Sequence, residues 1–222
     1  MSEFTLYGYW RSSAAYRVRI ALNLKLLEAE QISIHLVKGG GEQHGSDFRK
    51  LNPHGLVPAL VHHRDQGDIT ITNSLAIIEY LDEVSPEVPL MPRDAAGRAR
   101  VRQIALSIAA DIHPLQNLRV LQMAAKIGDE DGPISMSWAK HWIEVGFAGL
   151  EKQLSSESES GKFCHGDVPS LADLCLVPQF FNGLRYDVDM SAYQKISEIV
   201  ENAGELEAFQ LARPDVQPDA EI

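Results

Sequence analysis

Ser12 and Ser13 sit where a short apolar run, Phe4–Tyr9, gives way to a helical pattern beginning at Ser13, and Arg11 stands directly before them. A helix start exposes N–H groups without intrahelical partners and carries about half a positive charge, so it favours an anion. A hydroxyl held there can donate a hydrogen bond to a thiolate. Together the two effects lower a thiol's pKa from about 8.5 towards neutrality. The same serines also suit plain helix capping, because Ser is a favoured N-cap. A hydrolase nucleophile is the weaker alternative, since no G-x-S-x-G surrounds either serine.

Other polar residues read more simply. Asn73 or Ser74 can cap the helical run "NSLAIIEYLDEV" and offers a second anion site. The stretch "KGGGEQHGSD" is a Gly-rich loop that lacks the GxxxxGK[ST] phosphate spacing. Ser170 and Asp173 have capping-box spacing, with Asp in place of the usual Glu or Gln. Cys164 and Cys175 read as small core residues rather than nucleophiles. No HxxxH or cysteine cluster offers a metal site. Arg98, Arg100 and Arg102 read as solvated helix charges.

These groups need elements to position them. The chain has 222 residues, enough for one large domain or two small ones, with 45% hydrophobic and 23% charged residues. A net charge of −11 argues against nucleic acid and anionic membrane surfaces as partners. No apolar run approaches the length of about 18 residues that a membrane span needs. The start lacks a basic region followed by an apolar one, so no secretory signal is expected. Two cysteines suggest a reducing compartment, hence the cytoplasm.

Phe4–Tyr9 reads as a strand, Ser13–Leu27 as a helix and Ala29–Val37 as a second strand with alternating polarity. Val57–His63 and Ile69–Thr72 read as a hairpin around "RDQGD", followed by the helix that opens at Asn73 or Ser74. Pro58 at the start of a strand fits either a cis bond that frees the backbone of Val57 or a trans bond at a strand's first residue. Pro86, Pro89 and Pro92 make residues 85–93 a stiff linker. Beyond it the pattern is helical: Ala95–Lys126 bent near Pro114, then Ser135–Leu154, Leu171–Leu184 and Ala192–Asn202, ending in an irregular tail. The expected domains are an α/β one at 1–84 and an all-α one at 94–222.

The order βαβ–ββα, with "VP" before the third strand and "NSLAIIEYL" after the fourth, resembles the thioredoxin-like domain of the glutathione transferases. More narrowly, "RSSAAYRVRIAL", "LNPHGLVPAL", "DIHPLQNLRVL", "LADLCLVPQ" and "QPDA" are similar to the zeta class, in order and over almost the whole chain. The resemblance implies an α/β thioredoxin-like N-terminal domain that binds glutathione and an all-α C-terminal domain that binds substrate. It implies glutathione as cofactor, a dicarboxylate substrate, a homodimer, and cis–trans isomerisation of maleylacetoacetate. Ser12 is the first choice for the donor to sulfur and Ser13 the second. The backbone of Val57 before Pro58 would meet the cysteinyl amide, Asn73 and Ser74 the γ-glutamyl end, and Gln43 the glycine end, unless Gln43 is a solvated loop residue. His113 and Asn117 complete the implied glutathione set. Arg11, Arg119 and Arg185 would grip substrate carboxylates, arginine forks being suited to them; surface ion pairs are the competing assignment. Two positions depart from the class: Ala14 stands where Cys is common, and Asn73 where Gln is. Maleylpyruvate isomerisation, general glutathione transfer and a non-catalytic binding module that kept the fold remain as alternatives.

Overall fold

The computed structural model describes residues 2–128 and 133–221. It divides into two compact units, one of residues Met1–Leu90 with Leu206–Ile222, the other of Met91–Glu205.

The first unit is built on a four-stranded sheet. Strands β1 (Phe4–Gly8), β2 (Ala29–Ser33), β3 (Ala59–His62) and β4 (Ile69–Thr72) lie in the order β2-β1-β3-β4. β1 and β2 run parallel, while β3 is antiparallel to both β1 and β4. Helix α1 (Ser13–Leu24) makes the crossover between β1 and β2, α2 (Ser46–Leu51) follows the Gly-rich loop, and α3 (Ser74–Val84) follows β4. α1 and α3 pack together, burying Val18, Ile20, Ala21, Ile77, Ile78 and Leu81 completely. Gly8 lets α1 come close: a Cβ there would lie 3.2 Å from that of Ala15.

The second strand ends at Ser33 rather than Val37, and the first helix at Leu24 rather than Leu27. The chain beyond Ser33 turns instead on His35, whose Nδ1 accepts from the N–H groups of Val37 (3.2 Å) and Lys38 (2.8 Å). The start of the proline-rich segment is held by a buried charge. The Lys25 ammonium donates to the carbonyls of Ser85 and Val88, both at 2.8 Å, and pairs with Asp82 at 2.8 Å. A buried ammonium needs such compensation.

The second unit holds α4 (Ala95–Leu106), α5 (Leu118–Ile127), α6 (Pro133–Ser156), α7 (Leu171–Arg185) and α8 (Gln194–Gly204). The long helix expected over Ala95–Lys126 is interrupted. A π-helical stretch, Ser107–Ile112, and a 3₁₀ turn, His113–Gln116, separate α4 from α5. Pro114, which has no N–H to donate and crowds the preceding turn, accounts for the change of ladder. Asp173 is fully buried; it accepts from the N–H of Cys164 (2.7 Å) and from the N–H (2.8 Å) and hydroxyl (2.9 Å) of Ser170, forming the capping box of α7. Burial pushes its carboxyl pKa up.

Two expectations need correction. Arg100 is not a solvated charge: it pairs with Glu157 (2.7 Å) and donates to the Cys164 carbonyl (2.5 Å) and the Ser160 hydroxyl (2.9 Å), tying the loop before α7 to α4. The helical unit also does not extend over 94–222. Leu206–Ile222 group with the sheet unit. A short helix α9 (Glu207–Gln210) buries Phe209, Asn23 donates to the Ala208 carbonyl (2.9 Å), and the buried Gln217 amide donates to the carbonyls of Leu211 (2.9 Å) and Arg213 (2.8 Å). A polar, proline-containing sequence shows no periodicity, so this docking was invisible in the pattern.

Candidate active site

The sheet register gathers the candidate residues of the first unit. Tyr7 in β1 is paired with Ala59 in β3, and Ala59 with Thr72 in β4. Gly8, at the end of β1, is paired with Ser33, at the end of β2. The turn carrying Arg11, Ser12 and Ser13, the loop carrying Gln43, the Val57–Pro58 step and the Asn73–Ser74 step therefore all meet the sheet at the same end. The Val57–Pro58 peptide bond is cis.

Ser12 is the N-cap of α1. Its N–H donates to the Tyr9 carbonyl (2.9 Å), its carbonyl accepts from Tyr16 (2.8 Å), and its Oγ accepts from the N–H of Ala15 (3.2 Å). A hydroxyl has one proton and two lone pairs, so this cap occupies an acceptor site and leaves the proton to be donated. Capping and donation to an anion are compatible roles for this side chain. Ser12 is half-buried, whereas Ser13 is buried within the first turn.

Asn73 caps α3, its Oδ1 accepting from the N–H of Leu75 (3.1 Å), with φ at 73°. Asn tolerates positive φ better than most side chains. Ser74 is buried and accepts from Arg17 Nη1 (3.3 Å). Arg17 is 1% exposed, and the motif reading did not assign it a role.

Gln43 is not a solvated loop residue. It is 7% exposed, and its Nε2 donates to the Leu36 carbonyl (3.1 Å). Its Oε1 is buried with no hydrogen-bond partner among the described residues, an acceptor left for something else. Gly41, at φ 99°, makes room: a Cβ there would meet Gln43 Nε2 at 2.5 Å. Beside it an open recess is lined by Lys38, Gly39, Gly40, Gly41, Glu42 and His44. Arg11 is half-buried with its guanidinium 5.3 Å over the Trp10 ring.

The remaining candidates belong to the helical unit. His113 opens the 3₁₀ turn, and Asn117 caps α5, its Oδ1 accepting from the N–H of Arg119 (3.3 Å). Arg119 is exposed one residue into α5; Arg185 is exposed at the last position of α7, 5.0 Å over the Tyr186 ring. Gln116, between His113 and Asn117, is buried, and neither amide atom has a partner among the described residues. Its place inside a quoted motif was the only hint of it.

Residues 2–83 match the family Glutathione S-transferase, N-terminal domain. A maleylacetoacetate isomerase of Dictyostelium discoideum is 47% identical over 220 residues, 99% of this chain and 97% of its own. A bacterial maleyl pyruvate isomerase described as a zeta-class glutathione transferase is 40% identical, with a TM-score of 0.91 over 98% of this chain and 100% of the other. A maleylacetoacetate isomerase of Methylobacterium extorquens AM1, solved with bound malonate and glutathione, is 38% identical, with a TM-score of 0.92 over 98% of this chain and 100% of its own. With relatives matched over 97–100% of their own length, the chain belongs to the glutathione transferase family, in its zeta class.

Proposed function

We propose that the protein is a glutathione-dependent isomerase that converts maleylacetoacetate to fumarylacetoacetate. The observation that carries this reading is the sheet register: Tyr7–Ala59–Thr72 brings two helix N-termini and a cis Val–Pro step to one sheet end, and the Gly8–Ser33 pairing brings the loop with the buried Gln43 to the same end. Glutathione needs such a set, because it presents a thiolate, an amide and two carboxylates. When bound, glutathione supplies a thiol that adds to the carbon–carbon double bond and leaves again after rotation. The chain's own residues do the rest. Ser12 donates a hydrogen bond to sulfur and, with the start of α1, favours the thiolate near neutral pH; Ser13 is the second candidate. Asn73 and Ser74 at the start of α3 hold the γ-glutamyl end, the backbone of Val57 before Pro58 meets the cysteinyl amide, and Gln43 meets the glycine end. His113 and Asn117 complete the set. Arg11, Arg119 and Arg185 orient the two substrate carboxylates, so that binding places the double bond at the thiolate. The protein acts as a cytoplasmic homodimer in this reading, with residues 1–84 binding glutathione and the helical unit binding substrate.

A second diacid, maleylpyruvate, is named for a relative of nearly equal similarity, the maleyl pyruvate isomerase at a TM-score of 0.91 against 0.92 for the maleylacetoacetate isomerase. Assay of both diacids with and without glutathione tests the reading. Isomerisation of maleylacetoacetate that requires glutathione is the expected result. Turnover of maleylpyruvate alone replaces the first substrate by the second. Turnover of neither, with glutathione still bound, leaves general glutathione transfer or a binding module, which conjugation of a neutral electrophile separates.

A further inference from the structure

The turn that carries Ser12 is held from outside by the C-terminal segment. The Trp10 peptide group is bonded at both ends. Its N–H donates to Asp219 Oδ2 (3.1 Å), and its carbonyl accepts from Arg19 Nη2 (2.9 Å). Arg19 is 3% exposed, and its Nε donates to the Ala212 carbonyl (3.0 Å), so both contacts lead to residues 212–219. Asp219 Oδ2 also accepts from the Ser33 hydroxyl (2.6 Å), at the end of β2. Two residues on, Glu221 reaches Lys38 (3.3 Å) and His35 (3.5 Å), at the entry to the Gln43 loop. Asp219 thus joins the β1–α1 turn to the end of the neighbouring strand through a single carboxylate oxygen. Within the turn, the bond from the Ser12 N–H to the Tyr9 carbonyl spans Trp10. A displacement of the Trp10 peptide therefore moves both Arg11 and the Ser12 hydroxyl.

We propose that Asp219 is a positioning residue: its carboxylate fixes the Trp10 peptide and thereby sets where the Ser12 hydroxyl and the first N–H groups of α1 present themselves to the glutathione sulfur. This rests on the reading of Ser12 given above. The hydrogen-bond acceptor carries the role, not the charge, since a negative charge beside the site would oppose a thiolate rather than favour it. The carboxylate is compensated instead by Arg19, with which it interacts electrostatically. The segment beyond residue 205 is thus part of the active-site scaffold.

The test compares Asp219→Ala with Asp219→Asn, which keeps an oxygen acceptor and loses the charge. Amide hydrogen exchange over residues 10–15, in the protein without glutathione, should be faster in Asp219→Ala and unchanged in Asp219→Asn. The thiol pKa of bound glutathione, titrated by thiolate absorbance, should rise in Asp219→Ala. kcat should fall roughly tenfold while the KM for glutathione stays within about twofold, the pattern of a lost transition-state interaction. Asp219→Asn should remain within about twofold of the parent in each measure. Unchanged exchange and unchanged thiol pKa in Asp219→Ala overturn the proposal. Equal damage in Asp219→Asn also overturns it, because the effect then lies in the charge. If the parent protein does not lower the thiol pKa of glutathione, the reading of Ser12 falls, and hydrogen exchange alone still decides whether Asp219 holds the turn. Should Asp219→Ala fail to fold, Asp219→Asn decides: parent-like exchange and thiol pKa support the acceptor role, and loss of either refutes it.

Discussion

The glutathione candidates of the sheet unit and the arginine candidates of the helical unit are held in opposite ways. In the sheet unit, Ser12 and Asn73 are helix caps bonded to their own first turns, Ser74 and Gln43 are buried, and strand register brings them together. In the helical unit, Arg119 and Arg185 stand exposed at helix ends on long side chains. Main-chain geometry sets the first group, so moving one member means moving a strand. Side-chain choice sets the second, so a single substitution can retune it without cost to the core. A constant cofactor suits the first arrangement, and a substrate that differs between related enzymes suits the second.

The largest expected effect breaks the rigid half. Ser12→Ala should lower kcat/KM by roughly a hundred- to a thousandfold, the range for loss of one donor to a developing anion. The thiol pKa of bound glutathione should rise towards its free value of about 8.5. Ser13→Ala should change both less, because its side chain is packed into the first turn. Thermal unfolding should register a cost of about 1 kcal/mol for the lost cap in Ser12→Ala. If Ser13→Ala raises the pKa more, the donor is misassigned.

The next effect concerns the adjustable half. Arg185→Ala should lower kcat/KM for the diacid by roughly ten- to a hundredfold, given about 1.5–3 kcal/mol for a charge-assisted pair. Arg185→Lys should recover only part of this, because the bidentate fork is gone. Glutathione affinity and conjugation of an uncharged electrophile should survive in both variants. Equal loss on the diacid and the neutral electrophile would show that Arg185 supports the fold or the cofactor, and the contrast between the units would fail.

The smallest effect is read in stability rather than in catalysis. Burial pushes the Tyr16 hydroxyl from 10.0 up to about 12, partly offset by the Arg19 charge. Its folded pKa lies above the unfolded one, so between pH 10 and 12 the unfolded chain binds fewer protons. The stability that Tyr16 contributes is complete below about pH 10 and is lost as pH rises towards 12, by no more than about 3 kcal/mol. Tyr16→Phe should flatten that part of the pH–stability curve, measured by urea denaturation. An unchanged slope would mean the burial around α1 is less complete than the structure has it.

What could be read along the chain was local. Period and capping are properties of a few neighbouring residues, so α1, α3, α7 and the four strands were foreseeable, as was the capping box at Ser170 and Asp173. The segment with His113 and Asn117 was recognisable as a motif, but the π-helical stretch before it was not, because a widened ladder leaves no distinct pattern of residues. The prolines of residues 85–93 were evident, while the Lys25 contacts that pin the start of that segment were not.

The amino-acid sequence by itself determined which residues are candidates for the chemistry: two hydroxyls at a helix start, two more polar groups at a second, and arginines able to fork onto carboxylates. Only the tertiary structure decided which charged and polar side chains are buried. Arg19 meets Ala212 across 193 positions, Arg100 meets Glu157 across 57, and Gln43 folds into its own loop. A charged side chain looks the same in sequence whether water or a distant carbonyl satisfies it. Burial is settled by partners that register and docking bring close, and the free-energy cost of leaving such a group unpaired makes those partners obligatory once the core closes.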